Sequence, residues 1–276
     1  VIDFWGLLLL APALLLLLVL FVVPAALSVR GALLDKDGVP SLDNFRTAFG
    51  LYGHDIVFTA WIVCLAVALT ALLAVLIAGY LTLGSNRLAV RVLAWLYRWP
   101  LFVPMVCAAQ IMRGFLARNG MLNNALVGIG VLTPAQTASL LDWRGILITF
   151  VWKQLPFVTL LVAGAMASLD RSMIEAARDV GAGRVRVLFG IILPLVRAPL
   201  LVACVLTFVT LMSVLSVPIM LSADSPTMIT VDMAYRITTF GDYATADALG
   251  VISYVMTMLV GWFYLRHAAR ERAMLR

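Results

Sequence analysis

Ser172 and Glu175 stand three residues apart, and Gly181 follows six residues later. In a Ser-x-x-Glu pair the serine side chain accepts from the backbone N–H three residues on, and the glutamate reaches back to the serine N–H. Glycine adopts the left-handed conformation that ends a helix. The spacing therefore predicts a capped helix of about two turns, carrying Glu175, Ala176, Ala177, Arg178 and Asp179 and leading through Gly181 into Ala182. A helix this short is marginal in water, so it needs a packing partner. Ala176 and Ala177 would let another surface approach closely. After Gly183 a basic amphipathic stretch (Arg184, Val185, Arg186, Leu188, Phe189) leads into Ile191, Leu193 and Pro194.

Other reactive patterns are missing. There is no G-x-x-x-x-G-K-[ST] run to cradle nucleotide phosphates, and no H-E-x-x-H or G-x-S-x-G. Cys64, Cys107 and Cys204 lie far apart in apolar segments without metal-ligand spacing, and read as small hydrophobic residues. His54 and His267 fall on opposite membrane faces by the topology below. No catalytic residue, metal or cofactor is expected on the chain.

The elements that hold the loop follow from composition. Of 276 residues, 63% are hydrophobic and 12% charged, with mean hydropathy +1.05. Soluble domains carry about 25% charged residues, so this chain needs lipid as its solvent. Six apolar segments stand out, at about 5–29, 56–83, 92–116, 146–169, 191–221 and 248–265. The first has a cleavage-like Pro24-Ala25-Ala26, but its apolar run is too long for a secretory signal and lacks a basic start. It is expected to remain as a span. With the N-terminus inside, the loops at 84–91, 169–190 and 266–276 carry basic residues about three times as densely as those at 30–55, 117–145 and 222–247. The net charge of +6 reads as topology and not as nucleic-acid binding. The expected fold is an all-α membrane protein, one transmembrane domain of six helices with both termini cytoplasmic and the 170–190 loop inside. The semi-apolar stretch 118–140 is expected at the outer interface.

A charge inside a span is a candidate for function. Arg98 and Arg197 lie near cytoplasmic ends, where snorkelling accounts for them. Gln110 and Arg113 are one helical turn apart, and Trp152, Gln154 and Pro156 flank Lys153. Pro156 frees a backbone carbonyl, which needs a protein-lined or wet setting. Gln110, Arg113, Lys153 and Gln154 are therefore candidates to line a pathway or its outer gate, with packing against another chain or snorkelling as the alternative. Thr210, Ser213 and Ser216 could line the same cavity or serve helix packing.

The run Glu175-Ala176-Ala177, then Gly181, Ile191 and Leu193-Pro194, resembles the signature loop of ABC importer permeases. That resemblance implies a type I importer permease of the bacterial inner membrane, with the loop as the coupling helix. It implies two copies of a cytoplasmic ATPase that hold ATP and Mg, a second permease chain, homologous or identical, and an extracytoplasmic solute-binding protein. Many sugar permeases of the family carry Asp where Val180 stands. The variant here resembles the branch of spermidine/putrescine, aminoalkylphosphonate, thiamine and ferric iron permeases, as do Ser216-Val217-Pro218-Ile219-Met220-Leu221 and Tyr235-Arg236. Ser222-Ala223-Asp224 departs from the glycine common there. The resemblance implies a polyamine-type or related small solute, whereas a lining with Arg113 and Lys153 suits a sugar or an anion such as a phosphonate. The reading from a different class is a membrane-embedded enzyme or scaffold without an ATPase.

Overall fold

The computed structural model describes residues 4–35, 38–222 and 226–274. Lys36, Ala223, Asp224 and Arg276, which enter the charge pattern or the motif comparison, lie outside them. The described residues form helices and turns, with one isolated bridge between Leu34 and Pro40. In chain order the helices are α1 (Phe4–Leu17), α2 (Val23–Leu33), α3 (Asp43–Leu83), α4 (Arg87–Leu96), α5 (Met105–Leu116), α6 (Met121–Gly128), α7 (Trp143–Ala167), α8 (Arg171–Asp179), α9 (Arg184–Val187), α10 (Leu193–Leu195), α11 (Arg197–Met212), α12 (Ser216–Leu221), α13 (Ile229–Tyr235) and α14 (Tyr243–Met274).

Four stretches among the described residues are long and apolar enough to cross a membrane unaided: Leu10–Leu33, Asp43–Leu83, Trp143–Ala167 and Tyr243–Tyr264. The third and fifth apolar segments, expected as single helices, are broken. Arg87–Phe102 and Met105–Gly128 meet at 109°, and Arg184–Leu195 and Arg197–Met212 at 75°. The cause is proline. Pro100 and Pro104 remove the N–H partners of Leu96 and Pro100, and Pro194 and Pro199 remove those of Gly190 and Leu195. Six spans result only if each bent pair counts as one. The second segment starts earlier than its apolar run suggests. Ser41 Oγ accepts from the Asp43 N–H (3.1 Å), and nothing between there and Ile56 stops the helix. The stretch 222–247, read as an outer loop, contains α13, a π-helical turn (Arg236–Phe240) and the start of α14.

The chain divides into two compact units. The first holds residues 1–57 and 229–256. Ala32, Ala48, Ile56, Ile229, Ala248, Leu249 and Ile252 form its core. Asn44 Nδ2 donates to the Ala32 and Leu34 carbonyls (3.1 and 2.8 Å), satisfying the end of α2. Ser28 Oγ donates to Asp247, and Gly31 leaves room for that carboxylate. Arg236 Nε donates to the Tyr52 hydroxyl (2.6 Å), with the guanidinium 5.1 Å from the Tyr52 and Phe240 ring centres.

The second unit holds residues 58–228 and 257–276. Here α7 packs against α11 and α5, and α12 packs against α5 and α7. Phe150, Val158, Val162 and Met166 of α7 are buried, with Ala203 and Leu211 of α11 and Leu116 of α5. Asn123 Nδ2 donates to the Ala117 and Ala138 carbonyls (3.0 and 2.8 Å) and closes the connection from α5 to α7. Met121, Ile129 and Val131 are exposed there, an apolar surface of the kind expected at a membrane interface.

Candidate functional site

The loop between α7 and α11 contains the expected short helix, α8, but its start differs from the expectation. Asp170, not Ser172, is the N-cap: its Oδ1 accepts from the Ser172 N–H at 2.9 Å. Ser172 lies inside the first turn, so the Ser172–Glu175 capping box does not form. Both residues are good caps, and the sequence alone does not choose between them. Burial chooses. Starting at Arg171 turns Ile174 inward, where it is 9% exposed and packs in a cluster with Leu83, Met166 and Val187. That anchor contributes roughly 2 kcal/mol. Asp170's carboxyl is held below its ordinary value by hydrogen bonds from the Ser172 backbone and side chain.

The C-terminal end is as expected. Gly181 has φ +82°. Its N–H donates to the Arg178 carbonyl (2.9 Å), and the Ala182 N–H donates to the Ala177 carbonyl (3.0 Å). This pair is the Schellman arrangement. Arg178 and Arg184 tie the loop to the end of α3: Arg178 Nη2 donates to the Leu83 carbonyl (3.4 Å) and Arg184 Nη2 to Ser85 Oγ (2.9 Å).

The two alanines divide. Ala177 is half-buried and packs against the cluster, as does Ala182. Ala176 is exposed, with Ser172, Met173, Glu175, Asp179 and Val180. Val180 (84% exposed) and Val185 (71%) continue this face, with Met173 and Phe189 exposed beside them. A short helix fixed at both ends thus offers a small-residue, partly apolar surface away from its own core. Sequence reasoning missed Asp170 and Ile174. The i to i+4 spacing from Asp170 to Ile174, and the isoleucine in a polar helix, were the available signals.

The pathway candidates differ in setting. Gln110 and Arg113 are exposed on α5, whose Ala108, Ala109 and Met112 are buried. Lys153 is half-buried, and its Nζ donates to the Pro100 and Leu101 carbonyls at the break between α4 and α5 (2.9 and 3.4 Å). Gln154 is buried in α7. Ser213 is exposed, with its hydroxyl on the Thr210 carbonyl (2.8 Å), and Thr210 bonds Leu206 in the same way (2.8 Å). Ser216 begins α12, half-buried. Among the described residues no group of His, Cys, Asp and Glu could hold a metal.

Residues 55–272 match the family described as binding-protein-dependent transport system inner membrane component. The sulfoquinovosyl glycerol transport system permease protein SmoG of Agrobacterium fabrum is 27% identical over 94% of this chain and 88% of its own length. The spermidine/putrescine transport system permease protein PotB of Escherichia coli K12 is 30% identical over 71% of this chain and 73% of its own. A permease chain in the crystal structure of a bacterial alginate ABC transporter, in complex with an alginate pentasaccharide-bound periplasmic protein, superposes with a TM-score of 0.82. It is 19% identical, covering 96% of this chain and 94% of that one, and this shows the shared fold. The chain belongs to the family of binding-protein-dependent transport system inner membrane components: it is a non-catalytic permease subunit of an ABC importer.

Proposed function

We propose that α8 is the coupling helix of this permease and that its exposed face, with Ser172, Glu175, Ala176 and Asp179, seats in a groove of a cytoplasmic ATPase. The observation that carries this is the division of α8: both ends are closed by hydrogen bonds, Ile174 faces its own chain, and Ala176 faces away. Arg178, Gly181, Ala177 and Ala182 hold the shape of the helix and do not form its docking face. Both termini lie in the cytoplasm in this reading, and each bent helix pair makes one span, giving six. ATP and Mg bind the two ATPase copies. Their closure moves α8, and with it α7, and turns the cavity from inward- to outward-facing. A second permease chain completes the pathway, and an extracytoplasmic binding protein delivers the solute.

Gly181→Val tests this. A β-branched residue at φ +82° costs more than the roughly 1–2 kcal/mol of an ordinary left-handed residue. The ATPase should co-purify with the unaltered chain and be lost, by about tenfold or more, with the variant. Equal recovery with both chains, in folded protein, would sink the proposal.

We propose as cargo a small polar organic solute, a sugar or an anionic solute in preference to a polyamine. Arg113 favours this, since it is exposed beside Gln110 on α5 and would repel a polycation. The polyamine reading draws support from the likeness to PotB and from Lys153, whose ammonium is engaged by backbone and is not a free lining charge.

A further inference from the structure

Two helix ladders are interrupted at the same level of the second unit. Pro104 has no N–H to give the Pro100 carbonyl, and Val103 and Pro104 are extended (ψ 121° and 148°), so the chain leaves the helix there. The Pro100 carbonyl keeps a weak turn bond from the Val103 N–H at 3.3 Å. Across from it, Pro156 lies inside α7 and deprives the Trp152 carbonyl of its helical donor. Lys153 stands next to Trp152, and its ammonium joins the two breaks by donating to Pro100 and Leu101. Backbone carbonyls freed within a membrane must find a donor from protein or water.

Lys153 also sits on a direct mechanical line. It lies 14 residues before Ala167, the end of α7, and only Ser168, Leu169 and Asp170 separate that end from α8. Helix covers that whole distance, about 21 Å, with its ladder interrupted only at Pro156, so displacement of the α8 end reaches Lys153 through a helix that can bend there. On the other side of the break, α5 carries Gln110 and Arg113. The contact is a charge-assisted hydrogen bond at the end of a flexible four-carbon stem, a link that can let go and re-form.

We propose that Lys153 is a positioning residue for transport: a latch that holds the broken span against α7 in one access state and releases the Pro100 and Leu101 carbonyls in the other. Movement of α8 is delivered along α7 to this latch, and its release frees α5. The latch rests on the coupling role of α8 for its drive, but not for its geometry.

The test is hydrogen exchange at residues 99–107 together with ATPase activity, on the importer in lipid nanodiscs, nucleotide-free and trapped with vanadate. In the unaltered protein, exchange should be at least about tenfold faster in one state than in the other, the ratio expected for loss of a charge-assisted hydrogen bond. Lys153→Met should exchange fast in both states and raise basal ATPase relative to the stimulated rate. Lys153→Arg, which keeps the donor, should behave as the unaltered chain. Pro104→Ala returns an N–H that competes for the Pro100 carbonyl, and should uncouple as Lys153→Met does with the charge intact. Equal exchange in the two states overturns the latch. So does a Lys153→Met protein that keeps its basal-to-stimulated ratio, even one with lower stability (a staple) or a raised solute KM (a pathway lining). The permease chain alone gives an independent arm. There Lys153→Met must already exchange about tenfold faster at 99–107, and failure overturns the latch whatever α8 binds. A failure of the coupling reading looks different: no ATPase co-purifies with any of the chains.

Discussion

Asp170 is an exposed carboxylate whose whole contribution is one turn of backbone. Its bonds from Ser172 favour the ionised form, so its folded pKa lies below the ordinary value of 3.8. The sign follows: a group depressed on folding stabilises α8 fully above the ordinary carboxylate range, and that contribution is lost as pH falls through the folded value. Asp170→Asn keeps an acceptor at the cap and removes the titration. In a pH titration of ATPase binding, the unaltered chain should weaken below about pH 4, and Asp170→Asn should lose that component of the dependence. Asp170→Ala should bind weakly at every pH. Identical profiles for Asp170→Asn and the unaltered chain would remove the cap from the account. Gly181 was legible in the sequence because its constraint is local: a left-handed residue at a helix end has few chemical solutions. Asp170 was not, because the phase of α8 is set by where Ile174 must point, and that depends on Leu83, far earlier in the chain.

At the scale of elements, the prolines were visible but their consequence was not. Hydropathy over a window averages across a break, so the segments 92–116 and 191–221 read as continuous spans, whereas the helices end or turn at Pro100, Pro104, Pro194 and Pro199. Similarly, the helix of 222–247 was hidden because Arg236 and Asp242 look like loop charges; in the structure Arg236 is sandwiched between Tyr52 and Phe240 and bonds Asp242 at 3.4 Å. Close approach of α2 and α14 in the first unit gives a sharper case. A Cβ on Gly31 would collide with the Asp247 carboxylate, which Ser28 holds in place. Gly31→Ala should therefore cost about 1–3 kcal/mol, as overpacking does. Asp247→Ala should also destabilise, by loss of the Ser28 bond. The double variant should be less destabilised than the sum of the two, since the collision disappears with the carboxylate. Thermal unfolding of the four chains in detergent measures this, and strict additivity would show that the two helices do not meet here.

Across the whole molecule, transport was legible and cargo was not, for a physical reason. The 170–190 loop is a continuous stretch of one chain, so its pattern is written in consecutive residues. A solute path is assembled from separate helices, and Gln110, Lys153 and Ser213 prove to have different settings although each looked alike as a polar residue in an apolar span. Lys153 and Ser213 bond backbone carbonyls; Gln110 and Arg113 remain exposed together on α5. If that face lines the path, Arg113 sets a charge preference. At an effective dielectric of about 20, a unit charge some 4 Å away is worth about 4 kcal/mol before screening and desolvation. Even a third of that is a factor of about ten in solute affinity. Arg113→Gln should raise the KM for an anionic solute about tenfold and leave a neutral sugar nearly unchanged. Arg113→Glu should abolish anionic uptake. Uptake in proteoliposomes with a polyamine, a neutral sugar and a sulfonated sugar as competitors gives the sign. Were the polyamine the true cargo, Arg113→Gln would lower its KM. If Arg113→Glu changed the uptake of none of the three, the α5 face would lie against lipid or another chain and the path would run elsewhere.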